Sequence, residues 1–297
     1  MDLGIVGSGE WGRALATLAA EAGHRPRVGY RGRPIRGFPG TPNLGALARE
    51  CGLLLLAVSP SGIREVVRKL RPGPEHRVVI AARGLEPGTG TWLSEVVLAE
   101  SAALRVGALS GPALAAEVVA RRPSALVAAS AYAEVRTATQ EALHSAICRV
   151  YTSDDLRGVE LSGAVNSVLA VSVGITDALQ LGVGVRGVVV TRGLAEARRL
   201  GAALGAQDRT FAGLAGLGDL VAAASHPQHP GYRAGGQLVR GEQPPADLRE
   251  AAEAILTLAA SQGVEMPMTQ AIAAIASGKL KPRIALDMLM RRDPRGE

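Results

Sequence analysis

The stretch Leu3-Gly4-Ile5-Val6-Gly7-Ser8-Gly9-Glu10-Trp11-Gly12-Arg13-Ala14-Leu15 decides the fold, because an apolar run opens directly into Gly-x-Gly-x-x-Gly and then into Ala- and Leu-rich helical sequence. The pattern reads as strand, tight turn and helix. Gly7 supplies the turn, Gly9 lets the backbone approach a pyrophosphate, and Gly12 permits close packing of helix on strand. The free amides and positive dipole end of the helix then face the phosphates. Gly7, Ser8, Gly9, Glu10, Trp11 and Gly12 are therefore the expected cradle of a dinucleotide, with Trp11 packing at the cofactor edge. A sharp glycine turn without a ligand has the same local pattern, but the flanks and the strand that follows favour the cofactor.

Working outward, Arg27-Val28-Gly29-Tyr30-Arg31-Gly32-Arg33 reads as a second strand that leaves into a basic turn. A site selective for NAD usually carries an acid here for the ribose 2′-hydroxyl, whereas arginines suit a 2′-phosphate. Arg31 and Arg33 thus favour NADP(H), with NAD(H) possible and a solvated basic turn as the alternative. Pro34 to Pro42 reads as a loop and Leu44–Glu50 as a short helix. Leu53-Leu54-Leu55-Leu56-Ala57-Val58 has the continuous apolar character of a strand covered on both faces. Ile63–Leu70 and Thr91–Glu100 are predicted helices, and Arg77–Ala82 and Arg105–Leu109 are predicted strands. Ser124–Ser130 and Cys148–Thr152 are the last strands, with an Ala-rich helix between them. Strands alternating with helices specify an α/β fold with a Rossmann-type, doubly wound parallel sheet.

From about Leu156 the rhythm changes. Glu160–Leu181, Gly187–Leu204, Pro245–Ser261, Met268–Ser277 and Pro282–Arg291 all read as helices, so an all-helical domain follows the sheet. The expected division is 1–155 for dinucleotide binding and 156–297 for substrate binding and dimerisation. Ligands belong in the crevice between the two.

A chain of 297 residues has room for two cores. No uninterrupted apolar run approaches the ~18 residues that span a bilayer, and the N-terminus reads as a strand rather than a leader, so the cytoplasm is the expected compartment. Cys51 and Cys148 lack metal spacing and read as buried small hydrophobes, and no metal site is expected. The net charge of +6 comes from scattered basic residues, and aromatics make up only 3%. Nucleic acid, which needs a basic stripe and stacking platforms, is therefore not an expected partner. Small anionic ligands are. Lysine occurs only at positions 69, 279 and 281, and arginine supplies the rest of the 33 basic residues.

Further segments resemble one family. Ala81-Ala82-Arg83-Gly84-Leu85-Glu86-Pro87-Gly88-Thr89, Leu109-Ser110-Gly111-Pro112-Ala113-Leu114-Ala115-Ala116-Glu117-Val118 and Glu160-Leu161-Ser162-Gly163-Ala164-Val165-Asn166 stand in the order and spacing of NAD(P)-dependent glycerol-3-phosphate dehydrogenases. Gly174-Ile175-Thr176-Asp177, Thr191-Arg192-Gly193-Leu194-Ala195-Glu196, Phe211 through Val221 and Val264-Glu265-Met266-Pro267-Met268 extend the likeness over nearly the whole chain. The resemblance implies a Rossmann domain followed by a helical domain, a homodimer, and reversible hydride transfer between NAD(P)H and dihydroxyacetone phosphate. It adds Arg83, Gly111 and Ala115 to the cofactor-binding residues. For the small, phosphorylated substrate it points to Arg83, Ala113, Asp219 and Arg233.

The chain departs from the family pattern at the substrate. The lysine of the motif Glu-Leu-x-Gly-Ala-Leu-Lys-Asn is the family's catalytic residue, and we set it on Val165, with the motif's asparagine on Asn166. The lysine of Ser-Lys-Gly-x-Glu matches Arg83, which keeps charge and loses a titratable amine. Beyond Asp219-Leu220-Val221 an ungapped alignment puts His229, Pro230 and Gly231 under Ser-Arg-Asn, and the loop from Gly235 to Asp247 reads as short. Asp219 serves either as a site residue or as the N-cap of a helix. Asn166, Asp219, His226 and His229 are the remaining candidates for catalysis, the histidines as proton donors or as exposed loop residues. Arg186, Arg192 and Arg233 are candidate cations of the cleft, with Arg233 able in principle to stand in for the arginine lost at Pro230. The expected function is an NAD(P)H-dependent oxidoreductase with an altered substrate site and weak or no activity on glycerol 3-phosphate. The alternative is a non-catalytic dinucleotide-binding protein with a different ligand or a sensing role.

Overall fold

The computed structural model describes residues 2–290. The sheet-bearing half begins with β1 (Leu3–Val6), α1 (Glu10–Glu21), β2 (Arg27–Gly29), β3 (Gly40–Thr41), α2 (Leu44–Glu50) and β4 (Leu53–Leu56). It continues through α3 (Ile63–Leu70), β5 (Arg77–Ile80), α4 (Leu93–Glu100), β6 (Arg105–Ser110), α5 (Ala115–Val119), β7 (Ser124–Ala129), α6 (Ala133–Leu143) and β8 (Cys148–Ser153). The eight strands lie in the order β3-β2-β1-β4-β5-β6-β7-β8. The first six run parallel, β7 pairs antiparallel to β6 through Leu109 and Ala128, and β8 pairs parallel to β7. The sheet is thus doubly wound but not wholly parallel. The two-residue β3 also lies inside the stretch expected to be loop.

The order reverses at β1, which has β2 on one side and β4 on the other. A doubly wound sheet opens a crevice beyond the carboxyl ends of the strands at such a point. β1 and β4 are buried at every residue, as their unbroken apolar runs require. Helices cover both faces: Leu15 and Leu18 of α1 pack on one side, and Ile63 and Val67 of α3 with Val96 and Val97 of α4 pack on the other.

The helical half comprises α7 (Leu156–Ala178), α8 (Gly182–Ala203), α9 (Asp208–Ala212), a π-helical turn (Leu214–Gly218), α10 (Asp219–Ser225), α11 (Pro230–Val239), α12 (Ala246–Ser261), α13 (Pro267–Ala276) and α14 (Pro282–Met290). Arg291, the expected last residue of α14, lies outside the described residues. α9 and α11 had no counterpart among the expected helices, nor had α5, α10 was anticipated only through the reading of Asp219 as a cap, and the supposed loop from Gly235 to Asp247 begins inside α11. Asp155 starts α7 by accepting from the amide of Gly158 at 2.9 Å, and its other oxygen accepts from Thr210 Oγ1 and the amide of Gln207.

By length and composition α7 would pass for a membrane span, against the expectation that no apolar stretch comes near that length, but it is the buried axis of this half. α11 crosses it at backbone contact: a Cβ on Gly174 would meet Tyr232 O at 2.0 Å, and one on Gly235 would meet Val171 O at 2.3 Å. Two acidic residues of the matched motifs turn out to tie helices together. Glu160 accepts from Ser94 N at 2.9 Å and Ser94 Oγ at 2.7 Å at the start of α4. Glu196 accepts from the amides of Met268 and Thr269 at the start of α13. Burial raises both carboxyls above their ordinary range. Cys51 and Cys148 are buried free thiols, each pushed up to about 11 by burial.

Candidate active site

A cavity of about 520 Å³ lies beyond the carboxyl ends of β1, β4, β5 and β6. At its first end Gly7 turns the chain with φ +121°, a conformation that favours glycine, and a Cβ there would stand 2.2 Å from Ala57 O. A Cβ on Gly12 would stand 1.9 Å from Gly7 O, so only glycine lets α1 sit this close to the turn. A Cβ on Gly9 meets no protein atom within 4 Å. That open space faces the start of α1, whose first amides have no partner within the helix. The arrangement fits a dinucleotide: tight glycines where the chain packs on itself, and an open one where a pyrophosphate would lie.

Glu10, Trp11 and Ala115 line the cavity, and Ser8 is half-buried in the turn. Arg31 and Arg33 follow the carboxyl end of β2, exposed, with no hydrogen bond or ion pair among the described residues. Val58, Ser59 and Ser61, which follow β4, also line the wall and were missed in the sequence. Their position just past a strand at the switch point was the signal that could have found them.

Arg83 commands the other end. Its Nη2 donates to Asp219 Oδ1 at 2.6 Å and to Gly111 O at 3.2 Å, while Nη1 lies 3.4 Å from His229 Nε2. Asp219 is 1% exposed, and its second oxygen accepts from Asn166 Nδ2 at 3.1 Å. Burial pushes the Asp219 carboxyl up, and Arg83 and Asn166 pull it back. Asn166 also donates to Ala215 O and Gly216 O of the π-helical turn, so that turn, α7, Asp219 and Arg83 form one network. Asp219 does not cap α10: the preceding residue Gly218 is already helical, and no capping hydrogen bond forms.

The structure corrects the assignment of the lysine position. Val165 is fully buried among Leu161, Leu169 and their apolar neighbours, away from the cavity. Gly163 and Ser167, four residues apart, share the face of α7 turned to Arg83 and the cavity, and Asn166 stands beside them, whereas Val165 falls on the opposite side. Counted without a gap from Glu160, the motif places its lysine on Asn166 and its asparagine on Ser167. Val165 matches the motif's leucine.

His229 is 8% exposed rather than an exposed loop residue, and burial with the nearby Arg83 charge brings its pKa down to about 4. It is therefore neutral at pH 7 and has no imidazolium proton to give. Its Nδ1 is buried without a partner, as are Ser110 Oγ and Ser162 Oγ. His226 lines the cavity, and its Nδ1 accepts from the amide of Gln228 at 3.3 Å. Ala113 is buried in the wall, and Gly111 turns with φ +128° to aim its carbonyl at Arg83.

Arg233 is exposed on α11 and does not line the cavity, which Pro230, Gly231 and Ala234 reach instead. It does not replace the arginine missing at Pro230. Arg186 is held by Asp177, which also accepts from Tyr232 Oη at 2.6 Å, and Arg192 is exposed on α8. Among the described residues no cluster of His, Cys, Asp or Glu has the makings of a metal site.

Models of the NAD-dependent glycerol-3-phosphate dehydrogenase N-terminus and C-terminus match residues 39–136 and 155–287. A glycerol-3-phosphate dehydrogenase [NAD(P)+] of Methylibium petroleiphilum is 40% identical, over all of this chain and 98% of that protein. One of Leptothrix cholodnii is 39% identical over 99% of this chain and 83% of its own length. The crystal structure of glycerol-3-phosphate dehydrogenase from Coxiella burnetii superposes with a TM-score of 0.90 at 30% identity, covering 98% of both chains.

Proposed function

The chain belongs to the NAD-dependent glycerol-3-phosphate dehydrogenase family, and from that premise we propose that it is an NAD(P)H-dependent oxidoreductase that interconverts C=O and CH–OH on a small substrate in the cavity between β1 and α11. The observation that carries this reading is a cavity whose wall runs from Glu10 and Trp11, next to the open glycine at position 9, to Arg83, which Asp219 holds and Asn166 supports. The relatives are named for glycerol 3-phosphate. We carry the pair dihydroxyacetone phosphate and glycerol 3-phosphate over to this chain as poorly used substrates.

A bound nicotinamide dinucleotide would supply the hydride. The turn from Gly7 to Gly12 and the first amides of α1 would hold its pyrophosphate, and Arg31 and Arg33 would favour a 2′-phosphate and hence NADP(H). Arg83 lends a guanidinium hydrogen bond to the substrate oxygen that becomes negative as hydride arrives. Asp219, anchored by Asn166, fixes the guanidinium in place. Arginine keeps its protons, so the product hydroxyl takes its proton from water at the cavity mouth or through His226, which lines it. Asn166 stands where the family motif carries a lysine, and it cannot act as an acid.

The assay is NADPH oxidation with dihydroxyacetone phosphate, comparing the wild type with Asn166→Lys. The loss of a positioned acid costs about 10²–10⁴-fold, so wild-type turnover is weak and rises by at least about 10²-fold in the variant. An NADPH oxidation rate that the variant leaves unchanged removes the assigned role of position 166. Failure to bind NADPH removes the whole reading. A second reading, a dinucleotide sensor without turnover, draws on one observation: Asn166 and the neutral His229 leave the substrate end without the family's acid. Tight NADPH binding with no oxidation by any small carbonyl compound, in wild type and Asn166→Lys alike, selects it.

A further inference from the structure

We infer that Asp177, bonded to Tyr232 and Arg186, is a positioning residue that sets where α11 stands along α7 and so shapes the substrate wall formed by the first turn of α11. The inference rests on the oxidoreductase reading above and adds a residue to its substrate side. Asp177 itself lies out of reach of a substrate. It follows Asn166 on α7 by eleven positions, roughly 16 Å along the helix axis, and it does not line the cavity.

Ser167, Ala170, Gly174 and Asp177 follow one another on α7 at spacings of three and four, so they form one stripe along the helix. α11 lies on that stripe. A Cβ on Gly231 would meet Ser167 O at 2.7 Å and Ala170 Cβ at 3.0 Å, and a Cβ on Gly174 would meet Gly235 Cα at 3.2 Å. Small residues bring the two backbones together, yet along this stretch they put no long side chain into a groove of the other helix, so the contact resists separation more than sliding. The start of α11 adds little of its own. His229, at the N-cap position, makes no side-chain bond to the helix, and three of the ten residues of α11 are glycines, which weaken it as a helix.

Of the four residues in the stripe, only Asp177 has a side-chain hydrogen bond to α11 among the described residues. Tyr232 Oη donates to Asp177 Oδ2 at 2.6 Å, and Arg186 of α8 donates to both carboxylate oxygens. Burial pushes the Asp177 carboxyl up, but the bonds from Arg186 and Tyr232 outweigh it and leave the group below its ordinary range, so both donors meet a charged acceptor at pH 7. One carboxylate thus ties α7, α8 and α11 together. Tyr232 comes directly after Gly231 and three residues after His229, whose Nε2 lies 3.4 Å from Arg83 Nη1. A slip of α11 that breaks the Tyr232 bond carries His229, Pro230 and Gly231 with it, and these three line the cavity. Displacing a substrate wall by about 1 Å can cost about 10²-fold in rate.

The test compares the full chain with Tyr232→Phe, which removes one hydroxyl and keeps the ring, and with Asp177→Ala. Three readouts are taken: NADPH affinity by energy transfer from Trp11, kcat/KM for dihydroxyacetone phosphate by NADPH oxidation, and the titration midpoint of His229 by NMR. Both variants are expected to bind NADPH as the wild type does and to lower kcat/KM at least about tenfold. In both, the His229 midpoint rises from about 4 by at least about one pH unit, as the imidazole leaves Arg83 and its buried place. Asp177→Asn, which still accepts from Tyr232 and loses the charge that holds Arg186, falls between wild type and Asp177→Ala. Asp208→Asn, which breaks another ion pair of α8, that with Arg198, changes none of the three. A lowered Tm with kcat/KM and the His229 midpoint unchanged makes Asp177 a structural residue only and overturns the inference. So does an equal loss of NADPH affinity and kcat/KM. If the wild type oxidises no NADPH, the oxidoreductase reading fails, and the His229 midpoint in the variants still decides whether Asp177 sets α11.

Discussion

A buried carboxylate stays ionised only with compensation, and Asp219 receives it from the Arg83 guanidinium on one oxygen and the Asn166 amide on the other. Arg83 in turn touches His229, whose burial, with the Arg83 charge beside it, brings its pKa from an ordinary value of 6.5 down to about 4. A histidine whose pKa falls on folding contributes stability above 6.5 and loses it as pH falls from there to about 4, because the unfolded chain takes up a proton that the folded chain refuses. The full span corresponds to about 3 kcal/mol. His229→Gln is therefore expected to flatten the decline of unfolding free energy between pH 7 and pH 4 relative to wild type. Denaturant titrations across that range check it, and equal slopes in both proteins would contradict the assignment.

The residue scale also marks where the sequence was harder to read. Arg83 and Asp219 were found through long matched motifs. The position of the motif's lysine follows from an ungapped count from Glu160, which puts it on Asn166 rather than Val165. Helix phase agrees, since one step around α7 moves a side chain from the hydrogen-bond network of Asp219 to the apolar core.

At the level of elements, the meeting of α7 and α11 fixes the substrate wall. Both Gly174 and Gly235 lie where an added methyl would strike backbone atoms of the other helix, at 2.0 Å and 2.3 Å. Backbone cannot yield as a side-chain tip can. Gly174→Ala and Gly235→Ala are each expected to cost at least about 2 kcal/mol and to lower Tm by several degrees. Gly184→Ala on α8, whose Cβ meets nothing within 4 Å, is expected to leave Tm unchanged or raise it slightly. Thermal melts decide, and a Gly235→Ala melt equal to that of wild type would dissolve the claimed contact.

The same glycines explain why α11 was not read as a helix. Pro230-Gly231 and Gly235-Gly236 have the composition of a loop, and helix propensity counts each interior glycine as a cost. Tertiary packing overrides that cost here. The helices α7, α12 and α13 and the strands β4 to β8 carry strong apolar patterns and are legible to within a few residues. The π-helical turn at Leu214–Gly218 had no periodic signature, although the carbonyls it turns toward Asn166 join it to the site.

Across the whole molecule, the cofactor end of the cavity is local in sequence, built from the turn after β1, and so it could be read from thirteen residues. The substrate end brings together the segments after β5 and β6, the face of α7, the π-helical turn and the start of α11, which are separated by up to 146 positions in the Arg83–His229 contact. No local pattern encodes such a meeting. The motifs identified several of its members, and the fold determined which of them touch: Arg83, Asp219, Asn166 and His229 converge, while Val165 and Arg233 do not.

The central claim is that this cavity holds a nicotinamide dinucleotide against the glycine turn. Gly9→Ala tests it most directly, because the added methyl meets no protein atom within 4 Å and the backbone there is extended, so the fold is left intact while the path of the pyrophosphate is narrowed. Energy transfer from Trp11, which lines the cavity, to NADPH reads the binding. The expected result is saturable binding to the wild type and affinity at least about tenfold weaker in Gly9→Ala, with the same Tm in both. Equal NADPH affinity in the two proteins, or none in the wild type, would contradict the account.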